Sequence, residues 1–276
     1  MRISDVIRQK SDTLSFEIFP PKVGVEMDIG KIAERLVALK PDFISVTNSA
    51  GGSGGTGTLE IAQTVKNTYG VESIMHLVCS GATRESIARS LDCAAAAHID
   101  NILALRGDKL NGDGSGFCHA SDLIRLIDKK KFCVGAAAYP EGHIDAPDLD
   151  TDIEYLKLKV ECGADFLTTQ LFFDNEKLYS FMDKLRDNGI TVPVLCGIMP
   201  ILSKSQVKRM STMCGVSVTE EVARFIDRYE DPADICSAGV EYAQKQIREL
   251  RAHGMTRIHL YTMNKPEIAE EIVGGQ

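Results

Sequence analysis

LSFEIFPPK, residues 14–22, is the stretch from which the fold can be read. Residues 14–18 form a short apolar run with one ionisable group, Glu17, and read as a buried strand. Phe19 and the Pro20–Pro21 pair end it, because proline has no N–H for a ladder and fixes its own φ. A carboxyl at the exit of an apolar strand loses hydration, which favours its protonated form and prepares a general acid for neutral pH. The ordinary alternative is a core carboxylate paired with an Arg or Lys. This stretch alone leaves the two open.

Working outward, the same unit recurs. Apolar runs at 43–47, 73–79, 101–106, 133–138, 166–172, 192–198 and 257–262 alternate with helical patterns. The helices are expected at 29–39, 59–69, 84–96, 120–128, 152–162 and 175–188, then 203–213, 219–228, 232–253 and a closing 266–272. Runs rich in Val, Ile, Leu and Ala suit a parallel sheet covered on its outer face. Eight βα units in 276 residues fit a single α/β domain, a (β/α)8 TIM barrel spanning 1–276. No composition shift marks a second domain.

A net charge of −8 argues against a nucleic-acid partner. No apolar run approaches the ~20 residues of a membrane span. The N-terminal MRISDVIRQKSD lacks the apolar core of a signal peptide. A cytoplasmic protein is expected. The eight cysteines form no CxxC pair, so structural zinc is not expected, no metal site is assigned, and reduced, buried thiols are the default.

In a barrel, functional side chains gather at strand exits. Those exits carry Glu17, Thr47 and Asn48, His76, Arg106-Gly107-Asp108, Tyr139 with His143, Gln170, and Tyr261. GSGGTG at 52–57 matches GxGxxG, but it follows the second strand where a dinucleotide fold would use the first, so it reads as a mouth loop. No phosphate-binding GxxxxGK[ST] occurs. His76 lies inside SIMHLVC, where a satisfied core histidine is as good a reading as a ligand. Asp108 can accept from an amino-pyrimidine edge; a local pair with Arg106 is the alternative. Asp152, Tyr155 and Lys159 share one helix face, and Lys159 either reaches a phosphate or stays solvated. Gln170, beside Leu171, Phe172 and Phe173, is an amide that needs partners, which a planar ring would supply.

FEIFPPK, SVT, the His76 strand, NILALRGD, AAAYPEGH, TTQLFFD, GIMPI and HLYTMNK follow one another across nearly the whole chain. Together they resemble the methylenetetrahydrofolate reductase family, in its bacterial form with the catalytic barrel alone. The resemblance implies FAD, NADH or NADPH as electron donor, a folate substrate and a homo-oligomer. It places Glu17 as general acid, with Asp108 near flavin and pterin, and Gln170 and Lys265 at the folate. Thr47, Asn48, Ala50, His76, Arg106, Gly107, Asp108, Ala120, Tyr139, His143, Asp152 and Lys159 correspond to flavin-binding positions. Asn48, His119, Tyr155, Leu158, Lys204 and Lys265 depart from the family pattern, which bears on FAD-tail affinity and on the electron donor.

The implied reaction reduces 5,10-methylenetetrahydrofolate to 5-methyltetrahydrofolate. Glu17 protonates N10 to open the methylene bridge, and hydride comes from reduced FAD. The competing readings are a component of a larger complex that takes electrons from a redox partner protein, and a flavin-free pterin-dependent methyltransferase barrel.

Overall fold

The computed structural model describes residues 1–21, 24–48, 56–108 and 116–275. Eight strands pair in parallel in chain order: β1 (Thr13–Ile18), β2 (Phe43–Val46), β3 (Glu72–Val78), β4 (Asn101–Leu105), β5 (Cys133–Ala138), β6 (Phe166–Thr169), β7 (Val194–Ile198) and β8 (Arg257–Tyr261). β8 returns to β1, with Thr13 opposite Arg257 and Glu17 opposite Tyr261, and the barrel closes. The expected (β/α)8 architecture is therefore present. Around it lie α1 (Ile3–Gln9), α2 (Ile29–Ala38), α3 (Thr56–Tyr69), α4 (Arg84–Ala96), α5 (Ala120–Leu126), α6 (Leu149–Glu161), α7 (Asn175–Asp187), α8 (Lys204–Cys214), α9 (Glu220–Arg228), α10 (Pro232–Ala252) and α11 (Pro266–Gly274).

The two-residue strand period sorts side chains into two cores. Phe16, Ile18, Ile44 and Val46 face outward and pack under the helices. Phe43, Ile74, Leu103, Cys133, Phe166 and Leu195 form a separate cluster inside the base of the barrel, sealed by Ile3 and Ile7 of α1. The Ile3 N–H donates to Asn101 Oδ1 at 2.9 Å, which ties this plug to β4. At Gly135 any Cβ would stand 2.4 Å from the Phe166 ring, so only glycine lets that ring cross the interior.

Some boundaries moved. β7 starts after Pro193, which has no N–H to give. β6 stops at Thr169. The Gln170 N–H still donates to Ala138 O at 2.7 Å, but Leu171, Phe172 and Phe173 turn out of the sheet into apolar packing. α6 begins earlier than expected because Asp148 caps it, accepting from the Thr151 N–H at 2.7 Å. α1 was not anticipated. The cysteines correct an expectation: Cys79, Cys133 and Cys196 are buried, whereas Cys93 and Cys118 are exposed. Among the described residues, no helix is long and apolar enough to cross a membrane.

Candidate active site

Parallel closure puts every strand exit on one rim, so Glu17, Thr47, His76, Arg106, Tyr139, Gln170 and Tyr261 share one end of the barrel. Two regions can be built there from the residues upward.

The first is the mouth over β1, β3 and β8. Oε2 of Glu17 lies 3.9 Å from His76 Nε2 and 4.0 Å from His259 Nε2. Both rings are buried, and His259 Nδ1 is 2.8 Å from Ser15 Oγ. Burial pushes the His76 imidazole down to about 4, outweighing the opposing pull of the Glu17 charge. His76 is thus neutral at pH 7, and its Nε2 has no hydrogen-bond partner among the described residues. Tyr261 donates to Thr169 O at 2.6 Å, and burial, with the Glu17 charge behind it, holds its phenol well above the usual range. The seam between first and last strands is pinned from above. Thr262 Oγ1 donates to Glu17 O at 2.6 Å, while the Asn264 side chain accepts from the Phe19 N–H at 3.0 Å and donates to Phe19 O at 2.7 Å. Met263 and Asn264 both take φ of +54° to make that turn, a conformation that costs an ordinary side chain roughly 1 kcal/mol or more.

The second region is a cleft of about 310 Å³ between the exits of β4 and β5 and the helices α5 and α6. It is lined by Arg106, Ala120, Tyr139, His143, Asp152 and Lys159, which the family resemblance groups together, and also by His119, Tyr155 and Leu158. Arg106 pairs with Asp145 at 2.9 Å and not with Asp108 as the local alternative supposed. Lys159 is no solvated surface lysine. Its amine turns inward to donate to Ala137 O at 2.9 Å, stands 5.5 Å from the Tyr139 ring centroid, and is shifted down by burial. Burial raises Asp152, which Lys159 counteracts; one Asp152 oxygen accepts the His143 N–H at 3.2 Å. The His143 ring meets Tyr139 edge-on at 4.6 Å, and its Nδ1 accepts from the Asp145 N–H, which leaves the proton on Nε2. Burial lowers this imidazole and raises the Tyr139 phenol to about 12.

The remaining predicted residues scatter around these two regions. Gly107 closes β4 at φ +84°, and a Cβ there would stand 2.3 Å from Val78. Asp108 is exposed, its backbone O accepting from Ser80 Oγ. Gln170 folds back, its Oε1 accepting from the Leu171 N–H at 2.9 Å. Thr47 and Asn48 are partly buried at the β2 exit, and Thr47 O accepts from Thr58 Oγ1. Lys265 and Lys204 are exposed at the starts of α11 and α8. Ala50 and most of the glycine-rich segment at 52–57 lie outside the described residues. Reading the sequence missed Ser15, Ser45 and His259 inside the barrel, and Ala137 in the cleft. His259 had a signal: it stands two residues before Tyr261 and therefore on the same strand face. A larger cavity of about 390 Å³ lies between α7, α9 and α10, but its lining includes none of the predicted residues.

Comparison with known proteins adds the lineage. The methylenetetrahydrofolate reductase family model matches residues 2–275. Methylenetetrahydrofolate reductase 1 of Schizosaccharomyces pombe is 36% identical, covering 99% of this chain and 48% of its own length. Methylenetetrahydrofolate reductase (NADH) 1 of Arabidopsis thaliana is also 36% identical, over 95% of this chain and 48% of its own. The chain thus spans about half the length of these relatives. The 5,10-methylenetetrahydrofolate reductase of Escherichia coli is 34% identical, over 94% of this chain and 88% of its own. A solved Clostridium thermocellum protein described as binding two copies of 5-methyl-5,6,7,8-tetrahydrofolic acid shares the fold, with TM-score 0.69 at 16% identity over 100% of this chain and 98% of that one. With a family match from residue 2 to residue 275 and relatives above 30% identity along nearly its full length, the chain belongs to the methylenetetrahydrofolate reductase family.

Proposed function

We propose that this protein reduces 5,10-methylenetetrahydrofolate to 5-methyltetrahydrofolate, with Glu17 as the acid that opens the methylene bridge. The observation that carries the reading is Glu17 itself. It is a carboxyl at the exit of a buried strand, beside two buried imidazoles, on the same rim as a cleft lined by cations and aromatic rings. Lineage supports the substrate class.

The cleft fits part of a flavin dinucleotide. Its volume is at the small end of small-molecule pockets (~300–1,000 Å³). Its chemistry is that of an anionic, aromatic ligand: the cations Arg106 and Lys159, the rings of His119, Tyr139, His143 and Tyr155, and apolar Ala120 and Leu158. Thr47, Asn48, His76, Gly107 and Asp108 on the adjoining rim would hold the rest of FAD. When bound, FAD supplies the hydride, which it receives from NADH or NADPH.

The chain's own part is acid supply and orientation. The bridge carbon accepts hydride poorly until N10 is protonated and an iminium forms at N5. Glu17 donates that proton. Asp108, an exposed acceptor, takes hydrogen bonds from the amino-pyrimidine edge, and Gln170 and Lys265 contact the remainder of the folate. Gly107 lets the β4 exit turn at φ +84° tight against Val78, which shapes the backbone of the rim between Arg106 and Asp108.

The test is the absorption spectrum of the purified protein, followed by bleaching with NADH, NADPH or reduced viologen and re-oxidation by 5,10-methylenetetrahydrofolate. Yellow absorbance, bleaching by a pyridine nucleotide and recovery with folate are expected. Bleaching by viologen alone would replace the pyridine nucleotide with a redox partner protein. A colourless protein that takes up no FAD would sink the reading and favour a pterin-dependent methyltransferase.

A further inference from the structure

We propose that His259 is a positioning residue for Glu17. Locked as its Nε2–H tautomer by Ser15, it anchors Glu17 Oε2 and confines the acid proton to Oε1. The inference rests on the role given to Glu17 above and adds the device that orients its proton.

The argument is one of hydrogen-bond capacity. His259 is 2% exposed and Ser15 fully buried, so neither faces bulk solvent as an alternative partner. The Ser15 hydroxyl has one proton and two acceptors in reach, Ile258 O at 3.2 Å and His259 Nδ1 at 2.8 Å. Given to Ile258 O, that proton forces Nδ1 to carry its own hydrogen and turns the Nε2 lone pair onto Glu17 Oε2, which repels the carboxylate left once the acid has given up its proton. Given to Nδ1, it leaves Nε2–H facing Glu17 Oε2, where it attracts in either protonation state of the acid. Ser45 Oγ, 3.4 Å from Nε2, is a weaker second acceptor.

His76 approaches the same Oε2 from β3 with an Nε2 that has no hydrogen-bond partner among the described residues. The titratable groups facing the carboxyl are therefore His76 on β3 and His259 and Tyr261 on β8, while β2 contributes the Ser45 hydroxyl. Two ring nitrogens converge on one oxygen, and among the described residues the other oxygen has no hydrogen-bond partner. The 4.0 Å separation exceeds hydrogen-bond reach by about 1 Å, within the swing of a glutamate's broad terminal torsion. In the chemical step the Oε1–H bond breaks, its electron pair stays on the carboxylate, and an N–H bond forms at N10. Solvent returns the proton in the next cycle. The Nε2–H donor is in place before and after, so the developing charge meets a preorganised partner.

Long-range proton–nitrogen correlation spectra of the ¹⁵N-labelled full chain test the tautomer. The expected result is His259 protonated at Nε2, with an Nδ1–H population appearing in Ser15→Ala. His259 protonated at Nδ1 in the wild type overturns the proposal. Kinetics give the second arm. His259→Leu is expected to slow re-oxidation of the reduced flavin by folate ~100-fold and to leave reduction by pyridine nucleotide within about 2-fold. His259→Gln, which can present an N–H where Nε2 stood, is expected to recover most of the loss. Equal damage by Leu and Gln, or equal loss in both half-reactions, would mean that His259 only fills space. The tautomer arm needs no turnover, so a wild-type chain that reduces no folate would remove the proposed function without touching the nitrogen result.

Discussion

At the scale of single residues, Glu17 is the position on which the proposed chemistry turns. Glu17→Gln keeps the shape and removes the proton. Reduction of the flavin by the pyridine nucleotide should persist, while its re-oxidation by folate should fall at least ~100-fold, the usual size of a general-acid contribution. Stopped-flow measurement of the two half-reactions checks this, and wild-type re-oxidation would refute the assignment. Gly107 makes a different kind of demand. Gly107→Ala must accept a φ of +84° and a contact of 2.3 Å with Val78. The expected cost is about 1–3 kcal/mol in urea unfolding, together with weaker flavin retention. Glu17 was legible in the sequence because a lone charge in an apolar run stands out. His259 was not, although HLY contains it: a buried histidine looks the same from sequence whether it fills space or orients an acid. Arg106 was legible as a residue of the barrel mouth but its partner was not, since Asp145 lies 39 positions away.

At the scale of elements, the alternation of strand and helix was readable throughout because each strand is a short apolar run with a polar or glycine exit. Boundaries slipped where local rules met tertiary ones, as at Pro193 and at the three apolar residues after Gln170. The plug α1 escaped notice because seven residues, ISDVIRQ, carry too little periodicity to register. Its role is clear from its contacts. Ile7 is 1% exposed and closes the base cluster around Phe43 and Phe166. Ile7→Ala should lower unfolding free energy by about 2–5 kcal/mol. Because the plug sits at the opposite end from the rim, half-reaction rates should stay near wild type below the melting range. Urea unfolding beside stopped-flow traces separates the two effects, and a rate loss as large as that in Glu17→Gln would contradict the division between base and mouth.

At the scale of the whole molecule, the mouth bears on the stability of the entire barrel. His76 has its imidazole depressed from the ordinary 6.5 to about 4 by burial. Between those values the unfolded chain binds a proton that the native chain refuses. The contribution is therefore complete above pH 6.5 and is lost as pH falls toward 4, on the order of 3 kcal/mol in all. Urea midpoints between pH 7 and pH 4.5 should fall less steeply in His76→Gln than in the wild type; parallel curves would show that other groups set the acid limit. The single barrel was legible in the chain, since eight units in 276 residues leave few other packings. What was not legible is how the ends meet. Glu17 lies on the first strand, yet its backbone is gripped by Thr262 and its carboxyl faced by His259, both from the last. During synthesis, then, the ribosome must release some 240 further residues before this acid has any surroundings to orient it. On the proposed chemistry, a nascent chain stays silent until its eighth strand has emerged, however well the early strands have collapsed.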